Sequence, residues 1–179
     1  MSQEISFTVP DCHLVARRIG LEDAEDWFEF AVLPEVRRHT SGTVESLADV
    51  QAAIGRALTE DANAPVYFTL RDMSSSGLVA IVGFHTRSVV NRSAEINYEL
   101  RPERWGRGVA TAVCREAVRW GFSQLGLVRI QATTLEENVA SQRVLQKAGF
   151  APEGMLRNFR IVRGTPRNYL VFSTIPTSP

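Results

Sequence analysis

The chain has 179 residues, 44% of them hydrophobic and 22% charged, enough for one soluble globular domain with its own core. Twenty basic residues balance twenty acidic ones, which removes the electrostatic case for a general nucleic-acid or membrane-surface role. Cys12 and Cys114 stand far apart and fit two reduced thiols better than a disulfide framework, and no apolar run reaches the length of a membrane span.

Residues 1–12 are polar and are expected to be loose. The N-terminus shows no basic-then-apolar leader pattern, so the cytoplasm is the expected location. His13 to Ile19 alternates as a first strand. After the Gly20–Asp23 turn, Asp23 is placed to cap a helix from Ala24 to about Ala31, with Pro34 as its stop. A polar link, Arg37 to Thr40, leads to a second helix starting at Thr43 or Ser46, with Leu47, Val50, Ile54 and Leu58 on one side. Val66–Leu70 and Leu78–Phe84 read as strands joined by the tip Met73-Ser-Ser-Ser-Gly77.

Ala94 to Leu100 is a further strand. Ile96, Tyr98 and Leu100 share one face, and Glu95, Asn97 and Glu99 the other. A loop with Gly106 and Gly108 follows. It opens a helix marked by Val109, Ala112, Val113, Ala117 and Trp120, with Arg115, Glu116 and Arg119 mainly on the other side. Glycines at a helix start allow close backbone approach, and the helix N-terminus offers unpaired N–H donors and partial positive charge. The favoured guest is an anion such as phosphate, with Arg104 and Arg107 adding charge. The spacing matches neither a P-loop nor a dinucleotide fingerprint, because Thr111 stands where the third glycine would be.

Gly126 ends this helix, and Val128–Thr133 is a strand. Asn138 starts a short helix, carrying Val139, Val144 and Leu145, that stops at Gly149. An Arg-rich strand around Met155–Val162 and a last apolar strand, Tyr169–Ile175, complete the chain. The mixture of elements predicts an α+β, or mixed α/β, fold.

The run Ala94-Glu-Ile-Asn-Tyr-Glu-Leu-Arg-Pro-Glu-Arg-Trp-Gly-Arg-Gly-Val-Ala-Thr111 resembles the acetyl-CoA-binding core of the GNAT N-acetyltransferase superfamily. More narrowly it resembles the RimJ/RimL-like branch, which includes ribosomal-protein N-terminal acetyltransferases. Glu137-Asn138 through Ser141 to Gly149-Phe150, then Glu153-Gly154, is similar to the same branch, as is the ending from Arg163-Gly164 to Tyr169. The likeness runs from about Leu14 onward and is strongest from Ala94 to Gly154. It implies a mostly antiparallel central sheet, splayed at the cofactor strands and flanked by helices, across residues 1–179 as one domain.

The resemblance further implies that the loop of Arg104, Trp105, Gly106, Arg107, Gly108, Val109, Ala110 and Thr111 holds the pyrophosphate of acetyl-CoA. The strand from Asn97 through Tyr98 to Leu100 would pair with the pantetheine arm. The helix from Asn138, with Ser141, would lie beside the thioester. Trp105 suits the branch, which usually has glycine where Asn97 stands; Asn97 then either turns a polar group into the acceptor site or adjusts a bulge.

Acetyl transfer to an amine needs a base, a polarised carbonyl and a proton for the leaving thiolate. Glu95 and Glu99 are the candidate bases, with Glu95 favoured because it lies farther from the phosphate loop and an Ala-Glu-Ile strand carries the base in some of these enzymes. Solvated strand positions are the alternative for either. Ser141 is the candidate acid, with helix capping as its competing role, and Asn138 is a cap that can also touch the cofactor. His13, His39 and His85 have no metal-ligand spacing, so no metal is expected. Arg157, Arg160, Arg163 and Arg167 form either a solvated face or an acceptor-pocket wall. Trp27, Phe28 and Phe30 read as core. The expected activity is N-acetyl transfer from acetyl-CoA to a protein N-terminus or a small amine. A non-catalytic acyl-CoA sensor is the alternative, and a homodimer the expected option for self-association.

Overall fold

The computed structural model describes residues 5–42 and 44–176. The order of elements is β1 (Ile5–Val9), β2 (Leu14–Arg18), α1 (Ala24–Ala31), α2 (Pro34–Arg37), α3 (Leu47–Ala57), β3 (Val66–Asp72), β4 (Leu78–Ser88) and β5 (Ser93–Leu100). Then come α4 (Val109–Gln124), β6 (Arg129–Leu135), α5 (Val139–Lys147), β7 (Ala151–Val162) and β8 (Thr165–Thr174). The strands form one eight-stranded sheet in the order β1-β2-β3-β4-β5-β6-β8-β7. Every neighbouring pair is antiparallel except β5 and β6, which are joined through α4. A parallel pair needs such a crossover, and here the crossover helix follows the glycine loop.

The parallel pair is short. Its register runs Ser93–Arg129, Ala94–Ile130 and Glu95–Gln131 and goes no further. Beyond Glu95 the strands part, so the expected splay is present and Glu95 stands at the apex of the fork. Two cores clothe the sheet. On one face, Ala94, Ile96 and Leu100 of β5 pack with Val113, Cys114 and Ala117 of α4 and Leu145 of α5. On the other, Leu78 and Ile81 of β4 pack with Trp27 and Phe30 of α1 and with Val50 and Ile54 of α3. The apolar spacing in α4 and α3 thus reports which sheet face each helix covers.

Several local expectations change. Ile5–Val9 is a strand paired with β2, so this part of the supposedly loose N-terminus is ordered sheet. Its Phe7 packs edge-on against Phe68, a contact that outweighs the polar flanks. Asp23 does not cap α1 with its side chain. Its Oδ2 instead accepts from the Gly20 N–H at 2.9 Å, and its Oδ1 from Arg71 at 2.6 Å. Pro34 begins α2 rather than ending α1, as its fixed φ and missing N–H permit at a first helical position. Ser46 caps α3, in a reciprocal pair with Asp49. The other candidate start, Thr43, lies outside the described residues. Leu58, expected on the buried side of α3, is half exposed at the helix end.

Candidate active site

A groove of about 990 Å³ opens along the fork, lined by β5, β6, the glycine loop, α3, α5 and β7. Of the residues expected to hold the cofactor, Tyr98, Leu100, Arg104, Trp105, Gly106, Gly108, Val109, Ala110, Thr111, Asn138 and Ser141 line it. Arg107 is exposed and stands outside this lining. Arg104 is not a free cation either, because its Nη2 pairs with Asp72 Oδ2 at 2.8 Å.

The loop owes its shape to its glycines. Gly106 and Gly108 have φ of 70° and 78°, the left-handed region that costs glycine nothing. A Cβ at either would meet nothing within 4 Å, so the glycines serve backbone conformation and leave space in front of it. Trp105 Nε1 donates to the Leu100 carbonyl at 3.1 Å, tying the loop to the end of β5. The Ala112 N–H reaches the Gly108 carbonyl at 3.1 Å, and the N–H groups before it are helix-start donors without an intrahelical acceptor. A cradle of open backbone donors at the positive end of a sixteen-residue helix fits a pyrophosphate. The loop expected from the sequence therefore presents open backbone donors at a helix start, a geometry that suits a phosphate, while Arg107 lies outside the groove lining.

Alternation on β5 sends its side chains to opposite faces. Tyr98 turns toward α4 and α5, and its phenol oxygen lies 2.8 Å from Ser141 Oγ. Either hydroxyl can be the donor. Burial, with the Cys114 thiol adding to it, pushes the Tyr98 phenol well above its ordinary range, so it stays protonated. Asn138 Oδ1 accepts from the Ser141 N–H at 3.1 Å, which is the expected cap and leaves the Ser141 hydroxyl free for Tyr98.

Glu95, Asn97 and Glu99 turn to the face of α1 and α3. Glu95 is 6% exposed. Its Oε1 accepts from Thr133 Oγ1 of β6 at 2.5 Å, and Arg160 of β7 lies 3.6 Å away. Glu99 accepts a 3.0 Å bond from Trp27 Nε1. Burial pushes the Glu99 carboxyl upward, and the Trp27 bond partly opposes this. The two carboxylates are four residues apart, roughly 13 Å along a strand, so they cannot serve one nitrogen. Asn97 does not adjust a bulge, because the β4–β5 register is unbroken from Ala80–Leu100 to His85–Glu95. It lines the groove.

Residues that sequence reading set aside also belong here. Trp27 is core and groove wall at once, with its indole N–H spent on Glu99. His85 and His39 line the groove, both with the imidazole pushed below its ordinary value, mainly by burial. Arg160 separates from the arginine cluster as a groove residue, donating to Ser41 Oγ at 3.1 Å besides its pairing with Glu95. Arg167 pairs with Glu137, and Arg163 donates to the Arg37 carbonyl. Thr133 carried no signal beyond its place on an alternating strand. Among the described residues no group of His, Cys, Asp or Glu could hold a metal ion.

The groove thus combines an open backbone cradle suited to phosphate, a strand fork, a buried carboxyl group and a hydroxyl pair. Residues 13–151 match the acetyltransferase (GNAT) domain family, and the chain belongs to that family. It is 35% identical over 166 residues to the uncharacterized N-acetyltransferase YoaA of Bacillus subtilis (strain 168), covering 90% of this chain and 93% of that protein. The fold is also that of spermidine N-acetyltransferase from Vibrio cholerae, solved in complex with CoA and spermine (TM-score 0.81, 20% identity, 91% of this chain and 95% of that one). It is similar too to ribosomal-protein-S5-alanine acetyltransferase from Vibrio fischeri (TM-score 0.80, 19% identity, 91% and 93%). The protein is an acetyl-CoA-dependent N-acetyltransferase. Among the described residues no helix is long and apolar enough to cross a membrane.

Proposed function

We propose that the chain acetylates a primary amine by direct transfer in a ternary complex, with Glu95 as base and the Ser141–Tyr98 pair as proton donor. The observation that carries this reading is the two-faced geometry of β5. Glu95 approaches the fork from the α1–α3 side, and the Tyr98–Ser141 pair from the α4–α5 side. The two groups line one groove.

Acetyl-CoA supplies the activated acyl group. The acceptor nitrogen must arrive unprotonated, and Glu95 takes its proton directly or through one water. Beyond Glu95 the β5 main chain has no β6 partner. That edge can hydrogen-bond an extended pantetheine arm, and an N–H on it can polarise the thioester carbonyl. Ser141 protonates the leaving sulfur while the Tyr98 hydroxyl, held by their mutual bond, passes its proton to the serine; the proton gained by Glu95 leaves to solvent, and solvent restores the proton on Tyr98.

A small amine and a peptide N-terminus are both acceptors of this chemistry, as the names of the two structural neighbours illustrate. Self-association is supported by the edge strand β7, which exposes Met155, Leu156, Phe159 and Ile161. The two free thiols suit a reducing cytoplasm. Acetyl-CoA turnover, read by thiol release against a panel of amines and short peptides, tests the reading. Release that depends on an added amine supports it. Amine-independent hydrolysis alone, with the cofactor bound, overturns the ternary-complex mechanism.

A further inference from the structure

The transfer step asks a carboxylate to take a proton from an amine that arrives mostly as ammonium. A lone buried carboxylate is poorly suited to this. It pairs with the ammonium ion, and the pairing favours the charged form and holds the proton on nitrogen. Glu95 is 6% exposed, so the difficulty applies to it in full. Its surroundings answer with one cation. Arg160 Nη2 lies 3.6 Å from Glu95 Oε1 and is its only ion-pair partner among the described residues. That separation is too long for a hydrogen bond. The guanidinium thus offsets the charge of Glu95 without occupying a lone pair.

The strand that carries Arg160 places it there. β7 advances from Leu156 to Arg160 while its partner β8 moves only from Tyr169 to Arg167, so β7 bulges between them. Asn158, inside the bulge, has a φ of 50°, the left-handed region that asparagine tolerates better than most residues. Its N–H donates to Asn168 Oδ1 at 3.0 Å. A bulge bends its strand and re-aims nearby side chains. The guanidinium lies over the rings of Phe159 and Tyr169, 5.0 and 5.4 Å from their centroids. Its Nη1 donates to Ser41 Oγ at 3.1 Å, from the segment between α2 and α3. Glu95, Arg160, Ser41 and Tyr169 all line the groove.

His85 stands opposite Glu95 across β4 and β5 and lines the groove as well. Burial first, and Arg160 after it, hold the imidazole below its ordinary value against the pull of Glu95. The ring is therefore neutral near pH 7 and does not stand in for the guanidinium.

We propose that Arg160 is a positioning residue of the transfer reaction, which by neutralising Glu95 lets the acceptor rest against the base as a free amine instead of being trapped there as an ammonium ion. This rests on the reading of Glu95 as the base. The Glu95–Arg160 pair carries no net charge, and Glu95 accepts the amine N–H as an ordinary hydrogen-bond acceptor. Without the guanidinium, a bare carboxylate binds ammonium more tightly and takes its proton less readily. The ground state gains and the transition state does not, so kcat and KM fall together.

The test replaces Arg160 by Met, which keeps the length of the side chain and drops its charge. Arg160→Gln is a second neutral variant, and Arg160→Lys keeps the charge. Calorimetry of hexylamine into the CoA-loaded enzyme, near neutral pH where an alkylamine is protonated, reads the ammonium directly. Binding should be about tenfold tighter in both neutral variants and near parental in Arg160→Lys. At saturating acetyl-CoA, KM for hexylamine should fall by a similar factor and kcat by about tenfold or more. In a Glu95→Gln background the same substitutions should change neither constant. Thermal melting confirms that each variant is folded. Unchanged or weaker hexylamine binding in the neutral variants, or an equal effect in the Glu95→Gln background, would overturn the role. Glu95→Gln alone separates the two readings. If it leaves kcat unchanged while the tightening appears in Arg160→Met and vanishes with Glu95, the base assignment falls and the charge pairing stands.

Discussion

Thr133 Oγ1 donates a 2.5 Å hydrogen bond to Glu95 Oε1 across the mouth of the fork between β5 and β6. Thr133 lies two residues beyond Gln131, the last β6 residue paired with β5. The bond therefore spans strands that have just parted, and it holds the carboxylate where the groove begins. Glu95 Oε2 has no hydrogen bond among the described residues, and under the proposed mechanism it is the oxygen that receives the amine proton.

The first prediction follows from that orientation. Glu95→Gln should lower kcat by about 10²- to 10⁴-fold, the usual contribution of a positioned base. Thr133→Val should lower kcat less, since the carboxylate survives but loses its anchor. Glu99→Gln should also lower it less than Glu95→Gln. Steady-state kinetics with a true acceptor decide, and an unchanged kcat in Glu95→Gln would move the base role to water or a backbone carbonyl.

The second prediction concerns the cradle. Gly108 caps α4 at φ 78°, and a Cβ there would meet nothing within 4 Å, so a side chain costs backbone strain rather than a clash. A β-branched residue is the worst guest for that conformation. Gly108→Val should weaken acetyl-CoA binding by more than about tenfold. Gly108→Asn, which tolerates the left-handed region, should keep the fold and lose less. Calorimetry on both variants checks this, and wild-type affinity in a folded Gly108→Val would remove the loop from the cofactor site.

Sequence reading reached the loop, the fork strand and the capped α5 because each is written locally. Gly106 and Gly108 announce a left-handed turn, β5 alternates cleanly, and Asn138 sits one residue ahead of an apolar helix. What it could not reach depends on pairs distant in the chain. Thr133 meets Glu95 only because β6 lies beside β5. Arg160 meets it only because β7, paired with β8 at the sheet edge, brings that guanidinium within 3.6 Å of Glu95. Trp27 looked like core and is core, but its indole N–H also faces Glu99, seventy-two residues away. Asp23 looked like a helix cap, and Arg71 of β3 draws its carboxylate elsewhere. β1 was hidden because a strand of five residues next to polar flanks has little pattern of its own.

The third prediction is a stability effect at acid pH. Arg129 grips Glu153 with both guanidinium nitrogens, at 2.9 and 2.5 Å, and Ser173 Oγ donates to the same carboxylate at 2.5 Å. These bonds, Arg129 first, hold the Glu153 carboxyl down to about 2. A depressed carboxyl stabilises the fold above its unfolded value near 4.3 and loses that contribution as pH falls toward 2. The group is 40% exposed, so screening limits the effect to about 1 kcal/mol or less. Glu153→Gln should lower the melting temperature at pH 7 by a few degrees at most, with the difference from the parent shrinking between about pH 4 and 2. A difference constant across that window would mean the ion pair is not formed.

The last prediction separates two jobs at the start of α5. Asn138 Oδ1 caps the helix through the Ser141 N–H, whereas Ser141 Oγ faces Tyr98. One contact uses the Ser141 backbone and the other its side chain, so substitution can split them. Asn138→Ala should cost about 1 kcal/mol of stability, the usual value of a lost cap. Ser141→Ala keeps the capped N–H and should cost little stability. It removes the proton for the leaving thiolate, so kcat should fall by about 10²- to 10⁴-fold with acetyl-CoA affinity unchanged. Tyr98→Phe should lower kcat less, because Ser141 retains its own proton and loses only its relay. The Tyr98 phenol is held protonated by burial, so an alkaline limb in the wild-type profile should persist in Tyr98→Phe. Melting curves and steady-state kinetics on the three variants check the set. If Ser141→Ala melts early and turns over normally per folded molecule, the serine belongs to the helix alone. The departing sulfur would then take its proton from elsewhere in the groove.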